Sequence, residues 1–543
     1  MDLLAITVYL AIFFWAIKQA KAVFFWLYLW QLKNYHLGRF IAHFSTAKGQ
    51  EIFLNKIFVI KISLLVLFFF ASSFGFLIWW AAALVLFYAA ESVHSGLALL
   101  SGKAKRPIWT GKALFLSAST FAVIFYFPAS FFYVYSAGSI FLAWLLFLDI
   151  LAPAIVSGTV LALQPITAFL RSRTIAEAKA RRAQFKNLTV IGITGSCGKS
   201  SAKEFLAEIL SKKYRVLKTP KNQNSEIGIS RTILGLLKPE HQIFICEMGG
   251  YDIQGIKLLT EIAKPQIGIL TCVNSQHLAT FGSQENITKA KFKLIESLPG
   301  DGTAVVNIDN DLIRKELQSH RFAVKKIRRY SAKGEAEIWA ENVEIKKAKT
   351  SFEIFSRDGE FARIEMDMPG GWPIVSNVLA AAAAAKELKM SLPEIGRACQ
   401  KIDAKLAPVS VKRGIEGLNI IDSSYSANPD GVIADLDYLN VWVGKKIVVM
   451  PSLIELGKAS AGVHKNIGDK IGQVCDLAII TSLEGVRDIK EGAMERGLGP
   501  EKILFMENPK AIVGRLKKEL QRGDTVLLEG RVPEGVLKLL EGK

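Results

Sequence analysis

The fold of this 543-residue chain is decided by one stretch, LTVIGITGSCGKS at residues 188–200. Its first half is an apolar, β-branched run typical of a buried strand, and glycines then interrupt it before a helical pattern begins. A strand that ends in such a turn aims backbone N–H groups at a polyphosphate, Lys199 adds positive charge, and Ser200 offers a hydroxyl for Mg²⁺. The stretch therefore predicts a phosphate-binding loop, and we assign nucleotide contacts to Thr194, Gly195, Ser196, Cys197, Gly198, Lys199, Ser200 and Ser201.

The spacing of this loop departs from the general phosphate-loop pattern. Ile193 stands where the pattern G-x-x-x-x-G-K-[ST] has its first glycine, so the stretch fits a variant, T-G-S-C-G-K-S from Thr194. The alternative interpretation is a chance glycine and serine turn before a helix.

Composition divides the chain into two regions. Residues 1–165 are rich in Phe, Leu, Ile, Ala and Trp, whereas the remainder alternates apolar runs with charged segments. The net charge of +19 lies largely in short basic segments beside apolar runs, which favours a membrane surface and predicts no nucleic-acid partner. The five cysteines are dispersed and include no C-x-x-C pair, so we expect reduced thiols, no disulfide and no zinc site.

Four apolar stretches, at residues 3–30, 57–90, 113–133 and 140–163, are long enough to span a bilayer. The second can form two spans with a turn at 72–75, which makes about five spans in a transmembrane helical region at 1–165. A nucleotide site must face the cytosol, so we expect the region after these spans to be cytoplasmic in a multi-pass protein of the cell membrane. The positive-inside rule then favours five spans with the N-terminus outside. The basic loop residues that decide this orientation are Lys33, Arg39, Lys48, Lys56, Lys103, Lys105, Arg106 and Lys112. Residues 166–187 predict a basic linker helix, which either lies on anionic lipid headgroups or is solvated.

From residue 188 onward, strand-like and helical segments alternate, which predicts a parallel sheet with ligands at the carboxyl ends of its strands. Glu247 closes the strand at 243–247, His277 follows the strand at 267–273, and Lys291 lies in the next helix. A carboxylate at such a strand end can hold Mg²⁺. Taken singly, each also has a plainer interpretation: a helix cap, a structural histidine and a solvated lysine.

Taken in order, these residues resemble the Mur ligase family over about residues 188–543. The motifs that carry the resemblance are GITGSCGKSS at 192–201, TPKNQNSEIG at 219–228, EMG at 247–249, HLATFGS at 277–283, NIDN at 307–310, DSSYSANP at 422–429 and IELG at 454–457. The resemblance implies a P-loop central domain at 188–406 and a C-terminal domain with a dinucleotide (Rossmann-like) fold at 407–543.

The resemblance also implies a reaction. ATP phosphorylates a substrate carboxylate, and an amine such as an amino acid or D-alanyl-D-alanine attacks the acyl phosphate, on a nucleotide- or lipid-linked cell-wall precursor. Two Mg²⁺ ions are implied, one held by Ser200 and Glu247 and the other by His277 and a carbamylated Lys291. Asn307 and Asp309 match the adenine-side motif. The implied catalytic residues are Lys199, Lys291, His277, Asn377 and Asp422.

Several positions depart from the family pattern. Ile374 replaces an asparagine, Ser410 replaces an arginine near the phosphates, Ser423 replaces an aspartate, and Glu529 stands in place of a lysine. Apolar spans occupy the place of the N-terminal uridine-binding domain. These departures keep two further hypotheses open: a catalytically weakened nucleotide-binding regulator or scaffold of a wall-synthesis complex, and an ATP-powered transporter.

Overall fold

The computed structural model divides the chain into two compact units, Met1–Ser172 and Arg173–Lys543. It describes residues 3–33, 35–44, 47–53, 55–102, 104–135, 138–250, 253–320, 322–425 and 427–542. Lys103 and Ser426, which figure in the sequence predictions, lie outside these ranges. The side chains of Arg39 and Lys48 are likewise not described.

The first unit is helical. Its helices, the last of which continues into the second unit, are α1 (Leu3–Leu32), α2 (Leu37–His43), α3 (Ala47–Phe53), α4 (Lys56–Phe74), α5 (Leu77–Leu100), α6 (Gly111–Tyr135), α7 (Ser139–Ala162) and α8 (Gln164–Ala183). Five of the described helical segments are long and apolar enough to cross a membrane. Gly75, with a φ of 77°, ends α4 in the left-handed conformation that suits glycine, so the chain turns at the predicted hairpin.

Charged side chains inside this helical unit are paired. Lys61 Nζ lies 3.0 Å from Asp149 Oδ2 and 3.2 Å from Glu91 Oε2. Lys18 also pairs with Asp149, and the Gln19 amide donates to Asp149 Oδ1 at 3.1 Å. An unpaired charge in an apolar bundle would be costly, so this cluster ties α1, α4, α5 and α7 together.

The central part of the second unit is built on a nine-stranded sheet in the order β2-β3-β1-β4-β5-β6-β7-β8-β9. The strands are β1 (Thr189–Thr194), β2 (Val216–Lys218), β3 (Ile243–Glu247), β4 (Ile267–Leu270), β5 (Thr303–Asn307), β6 (Lys326–Ser331), β7 (Ile338–Ile345), β8 (Thr350–Ser356) and β9 (Phe361–Met366). Pairing is parallel as far as β7 and antiparallel beyond it. The helices are α9 (Lys199–Leu210), α10 (Glu226–Gly235), α11 (Gly255–Ala263), α12 (Leu278–Phe281), α13 (Gln284–Glu296), α14 (Asp311–Ser319), α15 (Trp372–Glu387) and α16 (Leu392–Cys399).

A second sheet of six strands follows, in the order β10-β11-β15-β12-β13-β14. Its strands are β10 (Ser410–Arg413), β11 (Asn419–Ser423), β12 (Lys446–Met450), β13 (Leu477–Ile480), β14 (Ile503–Phe505) and β15 (Thr525–Glu529). Only β10 pairs in antiparallel fashion in this described sheet. The helices are α17 (Pro429–Leu439), α18 (Ser460–Val474), α19 (Val486–Glu495), α20 (Pro509–Glu519) and α21 (Val536–Leu540).

The predicted α/β architecture with parallel-rich sheets is confirmed. The strands predicted at 189–194, 243–247 and 303–307 have those bounds, but the strand predicted at 267–273 ends at Leu270. It ends early because the next residues leave the sheet to support the phosphate loop: the Thr271 N–H donates to the Thr194 carbonyl, and the Cys272 carbonyl accepts from Ser196. The domain boundaries at 165, 187 and 406 stay predictions.

Candidate nucleotide site

The predicted phosphate loop lies at the carboxyl edge of the nine-stranded sheet. Strand β1, which leads into it, is flanked by β3 on one side and β4 on the other. The loop therefore meets Glu247, which ends β3, and Thr271 and Cys272, which follow β4. In parallel sheets a ligand site forms where the connections from two neighbouring strands run to opposite sides of the sheet. Strands β1 and β4 are such a pair, because the chain goes from β1 to β2 on one side and from β4 to β5 on the other.

Two glycines allow the loop to pack closely. Gly195 has a φ of 154° and Gly198 a φ of 77°, which L side chains rarely adopt. A Cβ atom added to Gly195 would lie 2.1 Å from Thr271 Oγ1, and one added to Gly198 would lie 2.5 Å from Asn377 Oδ1. The loop is thus enclosed between the end of β4 and helix α15, where Asn377 lies close to Gly198. The catalytic role of Asn377 stays a prediction.

The loop's polar side chains are engaged within the protein. Lys199 Nζ donates to the Gly195 carbonyl at 2.7 Å, and burial lowers the pKa of this lysine against the opposing charge of Glu247. Thr194 Oγ1 donates to the Met248 carbonyl at 2.9 Å. Ser196 Oγ accepts from the Asn274 N–H at 3.2 Å. Ser201 lies in the first turn of α9.

Glu247 is the centre of a buried polar cluster. Its Oε2 accepts from Ser200 Oγ at 3.0 Å and from Lys203 Nζ at 3.2 Å, and its Oε1 accepts from Asn224 at 3.0 Å. Burial raises the pKa of the Glu247 carboxyl, but the Asn224 hydrogen bond and the charges of Lys203 and Lys199 outweigh it, so the net pKa is lowered. An ionised carboxylate beside a serine hydroxyl offers two oxygen ligands of the kind that Mg²⁺ prefers.

The expectation that all five cysteines are reduced is wrong for two of them. Cys197, in the phosphate loop, and Cys272, after β4, form a disulfide with their Cα atoms 5.7 Å apart. They are separated by 75 residues, and only the adjacency of β1 and β4 brings them together, so spacing gave no sign of the bond. Cys246, Cys399 and Cys475 are buried free thiols.

The second predicted metal pair follows β4. His277 adopts a φ of 65° at the start of α12, and its Nδ1 lies 2.5 Å from Oε2 of Glu455 in the C-terminal domain. Lys291 is buried in α13, where burial, followed by the charge of Lys199, lowers its pKa to about 7. Its Nζ lies 5.9 Å from the centre of the Phe281 ring. Lys291 therefore holds a substantial neutral amine fraction near pH 7.

Asn307 and Asp309 occupy different positions at the end of β5. The Asn307 amide donates to the Thr271 carbonyl at 2.9 Å, beside the loop. Asp309 accepts from Ser331 Oγ and, at 2.7 Å, from the Ala332 N–H, so it shapes the turn after β6. That turn borders a cavity of about 350 Å³ whose lining includes Trp339 and Trp372.

Asp422 is held by Lys412, whose Nζ lies 2.8 Å from Asp422 Oδ2 and 3.2 Å from Glu541 Oε1. Burial raises the pKa of Asp422, but its hydrogen bonds from Lys412 and Ser424 lower it overall. Ser423, which replaces an aspartate of the family pattern, donates to the buried Asp435.

Sequence reasoning missed several residues that shape the site. Lys203 could have been found, because it lies one helical turn after Lys199 and shares its face. Asn224 stood in a quoted motif without a role. Glu455 likewise stood in the quoted motif at 454–457, which does not reveal its partner His277. Asn274, which donates to Asp430 at 2.9 Å, carries no local signal, since it acts across the interface between the two sheets' domains.

Comparison with known proteins identifies the family. The Mur ligase middle domain matches residues 193–385, and the Mur ligase, glutamate ligase domain matches residues 409–532. A UDP-N-acetylmuramoyl-tripeptide–D-alanyl-D-alanine ligase of Synechocystis sp. is 30% identical over 390 residues, covering 70% of this chain and 77% of that protein. The chain belongs to the Mur ligase family. Mur ligases are ATP-dependent ligases, and the resemblance inferred from the motifs is confirmed.

Other Mur ligases are also similar to this chain in sequence or in fold. The Mycobacterium leprae protein of the same name is 29% identical over 385 residues, covering 65% of this chain and 73% of that protein. The crystal structure of the MurF ligase of Thermotoga maritima in complex with ADP superposes with a TM-score of 0.60 at 26% identity, covering 68% of this chain and 83% of that one. A MurF structure from Acinetobacter baumannii has the same fold, with a TM-score of 0.61, 24% identity, and coverage of 69% of this chain and 81% of that one.

Proposed function

We propose that this Mur ligase joins the carboxylate of a cell-wall precursor to an amine, with D-alanyl-D-alanine as the first amine to test. The relatives named above carry that dipeptide in their names. The proposal is carried by three features that lie close together. They are Lys199 of the loop, the hydrogen-bonded Ser200–Glu247 pair, and Lys291, whose pKa of about 7 is lowered by burial and by the charge of Lys199.

The loop is suited to the first chemical step. ATP places its phosphates against the loop amides, and Lys199 leaves the Gly195 carbonyl to neutralise charge on the transferred phosphoryl group. The substrate carboxylate attacks the γ-phosphorus and ADP departs, which yields an acyl phosphate. The amine then attacks the acyl carbon, and phosphate leaves from a tetrahedral intermediate. We assign to Asn377, which lies close to Gly198 of the loop, the role of orienting the transferred group.

The residues present fit Mg²⁺. The Ser200 hydroxyl and the Glu247 carboxylate are oxygen donors 3.0 Å apart, and the low pKa of Glu247 keeps it ionised. When bound, Mg²⁺ neutralises charge on the phosphates. Lys203 and Asn224 also hold the Glu247 carboxylate in place, Lys203 through Oε2 and Asn224 through Oε1.

We assign a second metal position to Lys291 and His277, the pair that the family resemblance implies. A buried amine with a pKa of about 7 is largely available as the neutral nucleophile that adds to CO₂. The nitrogen forms a bond to carbon, loses a proton and becomes a carbamate. A carbamate is an anionic oxygen ligand for a metal ion, whereas the protonated lysine is a cation.

We also propose that the five apolar helices anchor the enzyme in the cell membrane, with its catalytic domains in the cytoplasm. The supports are the length of the spans, the basic loops between them, and the need of the loop for cytosolic ATP. Such an anchor favours an acceptor delivered at the membrane, either nucleotide- or lipid-linked.

The ligase proposal is tested with the full chain in detergent, ATP, Mg²⁺, a UDP-MurNAc-tripeptide and D-alanyl-D-alanine. We expect phosphate release and a new amide product only when acceptor and amine are both present. Lys199→Ala should lower the rate by at least about a hundredfold, whereas Lys212→Ala, an exposed lysine just beyond α9, should match the wild type. Nucleotide binding without amine-dependent turnover on any precursor would instead support the regulatory role.

The membrane proposal is tested by trypsin digestion of sealed vesicles of known orientation. Inside-out vesicles should lose the segment after residue 173, and right-side-out vesicles should protect it. Protection in the opposite vesicles, or recovery of the protein in the soluble fraction, would contradict the topology.

A further inference from the structure

The Cys197–Cys272 disulfide lies inside the nucleotide site. Cys197 occupies the middle of the phosphate loop and is partly exposed, whereas Cys272 is buried behind it at 6% exposure. The remaining three cysteines are buried elsewhere and unpaired. The bond therefore joins the partly exposed cysteine of the phosphate loop to the buried cysteine that follows β4.

In this disulfide-bonded form the loop's donors point inward. The Cys197 N–H donates to Cys272 Sγ at 2.8 Å, and the Ser196 N–H donates to the Cys272 carbonyl at 2.8 Å. Thr271 Oγ1 donates to the Cys197 carbonyl, and Lys199 Nζ donates to the Gly195 carbonyl. A phosphate cradle works by aiming these N–H and ammonium groups at the ligand.

We propose that Cys197 and Cys272 are a reversible oxidation site that controls nucleotide binding to the loop. The disulfide holds Cys197 against the end of β4 and keeps its N–H group on the partner sulfur. Reduction lets the two sulfurs separate, so that the loop can turn its donors toward phosphate. The inference rests on the proposed function only in assuming that the loop binds ATP, and it does not depend on turnover.

The chemistry requires a peroxide as oxidant and a dithiol as reductant. Cys197 lies just before the N-cap residue of α9, Gly198, and is partly exposed. Its sulfur attacks the O–O bond of hydrogen peroxide, which forms a sulfenic acid and releases water once a proton is taken up. The Cys272 sulfur then attacks the Cys197 sulfur, the S–S bond forms, and a second water leaves. A dithiol reverses this by exchange, is itself oxidised to a disulfide, and returns two thiols.

The test measures binding of a fluorescent ATP analogue to the full chain after treatment with dithiothreitol or hydrogen peroxide. Peptide mapping with differential alkylation reports the state of each cysteine in the same samples. We expect the oxidised wild type to bind at least about tenfold more weakly than the reduced protein, with binding restored by dithiothreitol. Cys272→Ser should abolish the response to peroxide. Cys475→Ser, a change at a buried free cysteine of the C-terminal domain, should respond as the wild type does.

Two results would overturn the proposal. One is equal affinity of the reduced and oxidised wild type with the pair shown to be bonded, and the other is failure of peroxide to join Cys197 to Cys272. Both measurements use the wild type, so they stand even if a variant misfolds. If the reduced protein binds the analogue but forms no amide, the ligase proposal fails while the oxidation site is still tested.

Discussion

At the scale of single residues, the site depends on groups whose surroundings change their ordinary chemistry. Gly198 takes a conformation that other residues avoid, and Asn377 fills the space beside it. Glu247 remains ionised despite burial because Asn224 and Lys203 stabilise its charge. Lys291 loses much of its charge because burial and Lys199 disfavour the ammonium form.

Gly198→Ala should abolish nucleotide binding. The new Cβ would lie 2.5 Å from Asn377 Oδ1 at a φ of 77°, a conformation that costs an L residue about 1–2 kcal/mol even without the clash. Isothermal titration with a non-hydrolysable ATP analogue checks this. Gly235→Ala, at the end of α10 with open space around its Cβ position, should bind as the wild type does. Unaltered affinity of the Gly198 variant would show that the loop is not the phosphate cradle.

Lys291 should carry a carbamate in a pH-dependent way. With a pKa of about 7, about a tenth of the amine is neutral at pH 6 and about nine-tenths at pH 8. ¹³C NMR of protein equilibrated with ¹³C-bicarbonate should therefore show a carbamate signal that strengthens from pH 6 to pH 8. The signal should vanish in Lys291→Ala and persist in Lys289→Ala, an exposed position on the same helix. A signal that survives Lys291→Ala would refute the assignment.

At the scale of elements, the carboxyl ends of parallel strands collect the polar groups in both sheets. In the C-terminal sheet, β11 ends at Ser423 and its neighbour β15 ends at Glu529, which lies against the buried Asp435 of α17. Burial raises the pKa of Glu529, and the nearby Asp435 charge raises it further. The buried pair of carboxyl groups is therefore stable only while one of the two retains a proton.

Glu529→Gln should reduce the loss of stability at high pH. The pKa of Glu529 is higher in the folded chain than in the unfolded chain. Such a carboxyl contributes its full stabilisation at a pH below its unfolded-state pKa, near 4. That stabilisation is lost as the pH rises through the folded-state pKa. Between pH 5 and pH 9, the variant's unfolding temperature should fall by at least about 2 °C less than that of the wild type. Circular dichroism melts check this, with the exposed Glu534→Gln as control. Parallel curves for all three proteins would contradict the protonated pair.

At the scale of the whole molecule, loops of the C-terminal domain reach the central domain beside the nucleotide loop. Glu455 contacts His277 and its carbonyl accepts from the Ala279 N–H at 3.0 Å, while Asp430 accepts from Asn274. Tyr425 donates to Asn222 at 2.6 Å. The predicted second metal position thus depends on a residue from the other domain.

Glu455→Ala should weaken Mg²⁺ activation of the ligase by about 10–100-fold, because a carboxylate paired with a ligating histidine orients its ring and we propose His277 as a metal ligand. Glu455→Gln should retain part of the activity, since its amide oxygen can still accept. The apparent activation constant for Mg²⁺ and kcat, measured together, check this. Glu484→Ala, exposed on the same domain, is the control. An unchanged constant in Glu455→Ala would remove it from the metal site.

Much of this architecture follows from local sequence. The strand, glycine turn and helix at 189–210, the carboxylate at the end of β3 and the apolar helices before residue 163 are each specified by neighbouring residues, through side-chain periodicity and the backbone freedom of glycine. That local information was enough to identify the Mur ligase family and to predict its phosphate loop.

Only the tertiary structure brings Asn377 against Gly198, Glu455 against His277 and Cys272 against Cys197. The partners in these pairs are separated by 179, 178 and 75 residues, respectively. Such contacts arise from strand order and domain docking, which a local pattern does not encode. The sequence by itself therefore determined which chemistry the loop is built for, and the packing of distant elements decided which side chains, and which sulfur, surround it.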